Sequence, residues 1–378
     1  MQSVVPVSGR NPNGHTEAEI RAALAGLTGS RRWSFRYSLL NSSNQIRIEE
    51  LDNVISAKVE QNWLADIKRE ATFTIRETGL IDYLSDRIMP RARLHLPPYG
   101  DQDWVEWPLG VFLLSSPKRK AESTGLVTRE VKGYDQLQVY ADDAPPTRYT
   151  LAKNANMITA VSGLLGGVRK IITPQLALAP AARSWDPGTT KLRIINDILG
   201  TINYDSLHFD ELGQARVNPY QSPDKRTVEW TYADDDYGLL VPGMEDTLDI
   251  GSVPNRVVAV CSSPDRPLLT ATSTNTNPAS PSSTVRRGRI IAVVENVPGS
   301  PSQAYLNLWA LAHLRRLSQI YESVEFDTGL NPLHSGHDLY RLKFGPLALN
   351  SPYVEQSWSM ELKVGARMRH VARRVVTL

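Results

Sequence analysis

Disulfides, membrane spans and charge of one sign are all scarce in this sequence. A single cysteine, Cys261, stands among 378 residues, so an intrachain disulfide is excluded and assembly in a reducing cytoplasm is expected. Cys261 follows Arg256-Val257-Val258-Ala259-Val260, a run that reads as a buried strand, so it is expected to be an inert core thiol. No stretch approaches the ~18 apolar residues that a membrane span requires. The opening MQSVVPVSGRNPNGHTEAEI has no apolar segment of the secretory kind. Stable membrane insertion is therefore not expected. The chain carries 42 basic and 40 acidic residues, a formal charge of +2, whereas a dedicated nucleic-acid binder concentrates positive charge on one domain or stripe. Its basic runs are short: Lys118-Arg119-Lys120, Arg286-Arg287-Gly288-Arg289, and residues 369–374. Each is expected on a solvated surface or a subunit interface.

Catalytic signatures are missing as well. Gly163-Leu164-Leu165-Gly166-Gly167-Val168-Arg169-Lys170 lacks the Gly-Lys-Ser/Thr of a phosphate loop, and its glycines end a helix rather than open one. His334 and His337, in Leu333-His334-Ser335-Gly336-His337-Asp338, have no HExxH pattern or further spaced ligands and read as incidental loop histidines. Asp234-Asp235-Asp236 and Asp142-Asp143 do not follow a calcium-loop spacing and read as solvated turns. No Gly-x-Ser-x-Gly occurs, and the apolar flank of Cys261 argues against an activated thiolate. Tyr99, Trp104 and Trp107 suggest a sugar-stacking patch, but core or interface packing is the preferred reading. No catalytic, cofactor-binding or metal-ligating residue is assigned, no cofactor is expected, and the chain is read as a non-enzyme.

What is present is a folded composition, 41% hydrophobic and 22% charged, long enough for more than one domain. Residues 1–15 should be an extended arm, followed by a short helix opened by the capping box Thr16-x-x-Glu19. From Trp33 the period becomes two: Trp33, Phe35, Tyr37 and Leu39 alternate with polar residues, as do Ile55/Ala57/Val59 and Ala71/Phe73/Ile75. Further strands are expected at 91–96, 104–107, 109–115 and 126–133, which makes 31–148 one all-β domain. Residues 149–250 read as a mixed α/β domain. It has helical stripes at Met157/Val161/Leu164 and Leu192/Ile195/Leu199/Ile202, and a hairpin at 207–217. Residues 251–378 read as a second β domain. It is expected to hold an exposed loop at 262–285 and a long helix at about 300–321, opened by Ser300-Pro301-Ser302-Gln303, with Leu306, Ala310, Leu314, Leu317 and Tyr321 on one face. The fold class expected is mainly β with an α+β insert: two tube-like β-barrel or sandwich domains flanking the mixed one.

The order of motifs resembles that of bacteriophage baseplate hub proteins, of the late-control and tail-associated lysin types. Residues 33–145 are similar to their first tube-like domain through Pro108-Leu109-Gly110-Val111-Phe112-Leu113-Leu114 and Arg129-Glu130-Val131-Lys132-Gly133-Tyr134-Asp135. In that family a Pro-x-Gly-x-Phe strand leads to a strand ending in Gly-Tyr-Asp. Phe209-Asp210-Glu211-Leu212-Gly213-Gln214 with Asn218-Pro219-Tyr220 looks like the family's hairpin and exit. Phe326-Asp327-Thr328, Asn331-Pro332 and Gly336-His337-Asp338 look like the entry into its second tube-like domain. In style the sequence looks most like minor tail proteins of actinobacteriophages.

The resemblance implies a structural virion protein at the tail tip: a homotrimer whose three pairs of barrels adapt a sixfold tube to a threefold tip. It implies as partners the tail tube or distal tail ring, the tape-measure protein and other tip or fibre proteins. Viral DNA is expected to pass through the lumen without sequence-specific binding. The chain departs from the lysin-bearing members in that no peptidase or glycosidase module is expected after residue 378. The alternatives are a tail-associated cell-wall hydrolase and a carbohydrate- or receptor-binding tail module using the 99–107 region.

Overall fold

Where the sequence alternates with a period of two, the chain extends. Trp33–Leu40, Val54–Asn62 and Arg69–Arg76 are strands, and the inward positions of the last, Ala71, Phe73 and Ile75, are buried. The computed structural model describes the chain except at residues 7–9, 97–99, 101–102, 122–124, 126, 236–238, 250, 264–265, 298–301, 319 and 377–378. Capping dictates the first helix, Glu17–Leu24. The Thr16 side chain accepts the Glu19 N–H while the Glu19 carboxylate receives the Thr16 N–H, as expected from the capping box.

Among the described residues, fourteen strands share one sheet. From one edge it runs through Leu240–Asp249, Ile320–Gly329, Arg367–Val376 and Leu349–Glu361. It continues through Val54–Asn62, Arg69–Arg76, Val127–Tyr134, Phe112–Ala121, Arg87–His95 and Trp33–Leu40 to Ile46–Ile48. Trp104–Pro108 branches from Arg87–His95, and Trp230–Ala233 pairs in parallel with Leu339–Phe344. The protein is thus mainly β. Its early and late β units are joined edge to edge, antiparallel, from Ser357↔Asn62 to Glu361↔Lys58. One hydrophobic core follows, containing Phe73, Trp107 and Phe112 from the early unit and Tyr232, Tyr340 and Trp358 from the late one.

The arm at the start of the chain is extended and packs on the body: the Gln2 N–H donates to Leu333 O at 2.7 Å, and the Trp107 indole N–H donates to Val4 O at 3.2 Å. The mixed unit has a separate core around helices Met157–Leu165 and Lys191–Thr201. Its small sheet pairs Lys170–Ile172, Ala215–Val217 and His208–Phe209. A further unit packs helix Gln303–Leu317 on the sheet of Arg256–Ser263, Arg266–Thr274 and Ala292–Asn296. Cys261 is buried there, as the sequence suggested. Among the described residues no helix is long and apolar enough to cross a membrane.

Three expectations change. Strands Trp230–Ala233 and Leu240–Asp249 belong to the large sheet rather than to the mixed unit, so the boundary placed at 250 falls inside the late β unit, which residues 256–317 interrupt. The stretch 262–285 is not one long loop. Arg266–Thr274 is a strand whose Leu269 and Ala271 pack inward, because β-branched threonine favours extended backbone while looking loop-like in composition. The long helix packs on the interrupting unit and is capped by Ser302, whose side chain accepts the Tyr305 N–H. It stops at Leu317, so Tyr321 falls in the next strand. Ser300 and Pro301 lie outside the described residues.

Candidate functional site

The quoted motifs meet where the early β unit holds the mixed one. Gly110 has φ +134°, and a Cβ there would lie 2.9 Å from Arg69 Cδ and from the Phe112 ring. A Cβ on Gly133 would lie 2.9 Å from Phe112 Cβ and 3.1 Å from the Phe73 ring. The two glycines therefore clear the space in which Phe112 sits edge-on to Phe73. Asp135, closing the Gly-Tyr-Asp motif, accepts the Arg69 N–H at 3.1 Å and the Leu137 N–H at 2.9 Å. Burial pushes its carboxyl up to about 6, with these bonds and Arg69 opposing.

Arg69 then crosses to the mixed unit. Its guanidinium donates to Gln61 Oε1 at 2.7 Å and to Glu211 Oε1 at 2.8 Å, and both ionic side chains are largely buried. Glu211 sits in the hairpin turn predicted from sequence, where Gly213 has φ +69° and Asp210 accepts the Leu212 and Gln214 N–H groups. Gln136 donates to Gly213 O at 2.9 Å and completes the clamp.

A second junction surrounds Trp63, in the turn after Val54–Asn62. His337 of the late unit stacks on its ring at 5.1 Å, and His208 of the mixed unit meets it edge-on at 4.9 Å. Beside them lies a cleft of about 390 Å³ lined by Asp205, Arg226, Asn218 and Gly336. Burial lowers both imidazoles to about 4, and Arg226 and Arg373 reinforce the effect at His337.

The late unit holds a fully buried polar cluster. His334 Nδ1 is 3.1 Å from Asp338 Oδ2 and 3.0 Å from Glu355 Oε2. His370 Nδ1 is 3.1 Å from the same Glu355 oxygen. The far nitrogens meet hydroxyls, His334 Nε2 that of Tyr232 at 2.5 Å and His370 Nε2 that of Thr328 at 2.8 Å. Tyr340 donates to Glu355 Oε1 at 3.2 Å, and Asp338 also meets the Met1 amino group at 2.6 Å. Burial works against a charged His334, yet Tyr232, Glu355 and Asp338 raise it well above its usual value. Burial dominates at His370 and lowers it. Burial would raise Glu355, but the two imidazoles hold it low.

His334 is therefore no incidental loop histidine, and it is separated in role from His337, which stacks on Trp63. Glu355 and His370 escaped the sequence reading. His370 sits inside the basic run 369–374, and its signal is alternation: Met368, His370 and Ala372 point inward along one strand. Glu355 lies at a bulge between Glu355 and Ser357, which leaves Tyr353, Val354 and Glu355 buried in succession and hides the period.

The remaining candidates take structural places. Gly166 has φ +63° and ends the Met157–Leu165 helix, and Lys170 Nζ donates to Ser162 O and Gly166 O there, which leaves no phosphate cradle. Asp234 accepts the Gly345 N–H, and Asp143 pairs with Lys191. Asp236 and Tyr99 lie outside the described residues. Trp107 is wholly buried and offers no sugar platform, and Trp104 is half-buried, with Arg93 over its ring at 4.9 Å and His95 edge-on to it.

No protein-family model matches the sequence, and no curated protein matches it. Solved structures do. The tail protein from Neisseria meningitidis MC58 superposes with a TM-score of 0.64 at 10% identity, over 90% of this chain and 97% of that one. The 43 kDa tail protein of prophage MuSo2 from Shewanella oneidensis superposes with a TM-score of 0.60 at 10% identity, over 90% and 98%. Over nine tenths of its length, then, the chain is similar in fold to these two tail proteins.

Proposed function

We propose that the chain is a structural component of a bacteriophage tail, acting at the tail tip without catalysis. The observation that carries this reading is the extent of the likeness: the superposition takes in about nine tenths of this chain and nearly all of each tail protein. Fold alone does not fix function. The reading gains support from motifs whose residues serve packing, namely Gly110, Phe112, Gly133 and Asp135, and from a hairpin turn used as a clamp.

The finer proposal is a trimeric hub that caps the tail tube, adapts its sixfold order to a threefold tip and surrounds the DNA exit path. Two β units per chain, fused through Ser357–Glu361, supply the paired elements such a ring requires. Leu240–Asp249 ends the sheet path as a ten-residue edge, a feature soluble proteins normally cover. A neighbouring subunit, the tail tube or distal tail ring, or the tape-measure protein would cover it. A near-neutral chain suits a lumen through which DNA slides unheld.

The test is the solution mass of the purified chain, with particle imaging. A ring of three copies is expected. A stable monomer at high concentration, with no affinity for tail tubes, contradicts the hub.

A further inference from the structure

We propose that His334, Glu355 and His370 form a buried zinc site in the core of the late β unit. The three side chains come from the turn after Ile320–Gly329 and from the neighbouring strands Leu349–Glu361 and Arg367–Val376, and their ligand atoms lie within 4.8 Å of one another. Both imidazole Nδ1 atoms face the same Glu355 oxygen, at 3.0 and 3.1 Å. A tetrahedral ion with bonds of about 2.0–2.1 Å holds its ligands about 3.3 Å apart, which is close to this spacing. The other Glu355 oxygen, Oε1, is 3.3 Å from His370 Nδ1, so a bidentate carboxylate would complete four donor atoms.

The surroundings match a metal's outer shell. Ligating imidazoles are oriented through their far nitrogens, and here each Nε2 is held by a hydroxyl, of Tyr232 or Thr328. The Thr328 hydroxyl donates to Gly329 O at 2.9 Å, so in that arrangement it accepts the His370 Nε2–H. The His370 Nδ1 lone pair then faces a carboxylate, and a cation between them relieves the repulsion. Among the described residues Glu355 has no lysine or arginine partner; its ion pairs run only to the two histidines. A carboxylate buried so deeply requires positive charge beside it, which the imidazoles carry in the absence of an ion and a bound cation would supply in their place. Two imidazoles with a carboxylate, in a buried site, suit zinc. Burial also makes the role structural, fixing two strands and the turn that carries His337 to Trp63.

The whole chain, purified without a histidine tag from zinc-supplemented culture, should contain one zinc per chain by elemental mass spectrometry. Refolding with a chelator should lower Tm, and equimolar zinc should restore it. Refolding with cobalt(II) should give the visible bands of a four-coordinate site without a sulfur charge-transfer band. His370→Gln and Glu355→Gln should lose the metal, while His337→Gln keeps it. If these variants do not fold, the cobalt spectrum of the unaltered chain decides. A folded chain that binds neither ion and has the same Tm with chelator as with zinc overturns the site and leaves a proton-shared network. That result would not touch the tail assignment, which rests on the fold likeness and is tested by assembly and location.

Discussion

His337 and His208 meet the same indole, and burial lowers both from an ordinary 6.5 to about 4. As pH falls through that interval the unfolded chain takes up protons that the folded chain refuses. Their stabilisation is complete above 6.5 and is lost on the way down to 4. Asp205, in the same cleft, is pushed up to about 6 by burial and works in the opposite sense, favouring the fold once neutral. Urea unfolding at a series of pH values separates them: His337→Gln should lose stability less steeply than the unaltered chain between 6.5 and 4. Equal slopes would remove His337 from the acid response. Arg69 offers a test by charge. Arg69→Leu strands Glu211 in a largely buried position and should cost about 3–5 kcal/mol in unfolding free energy. Adding Glu211→Leu should return part of that loss, because no unpaired charge remains. An additive pair of losses would show that the two side chains do not interact.

At the scale of elements, the Phe112–Ala121 and Val127–Tyr134 strands are held together by what glycine omits. Gly133→Ala places a methyl 2.9 Å from Phe112 Cβ, backed by Phe73, so neither neighbour can swing away. Overpacking of this kind should cost about 1–3 kcal/mol, measured as a drop in the denaturation midpoint. A neutral result would mean that the two strands move apart freely. These motif strands were legible because period and turn chemistry agreed along them, as they did for the Asp210–Gln214 turn and the Thr16 capping box. The Arg266–Thr274 strand was not legible, since threonine serves strand and loop alike. The polar cluster was half legible. His334 stood out in its motif, but only the pairing of the Leu349–Glu361 and Arg367–Val376 strands brings Glu355 and His370 to it. A bulge and a run of arginines concealed those two from any periodic reading.

At the scale of the molecule, long-range pairing decides what local pattern cannot. Residues 58–62 and 357–361 lie about three hundred positions apart, yet they fuse two β units into one sheet over one core. The same pairing explains the misplaced boundary near 250: Trp230–Ala233 and Leu240–Asp249 read as part of the mixed unit until their partners Leu339–Phe344 and Ile320–Gly329 are known. The early and late β units are thus fused through one sheet, and the mixed unit is tied to the early one through Arg69 and Glu211. The most direct test of the central claim is location. Gold-labelled antibody raised against the purified chain should mark the distal end of the tail on phage particles produced by a strain carrying this gene. Label absent from the particles, with the chain found only free in the lysate, would contradict the account.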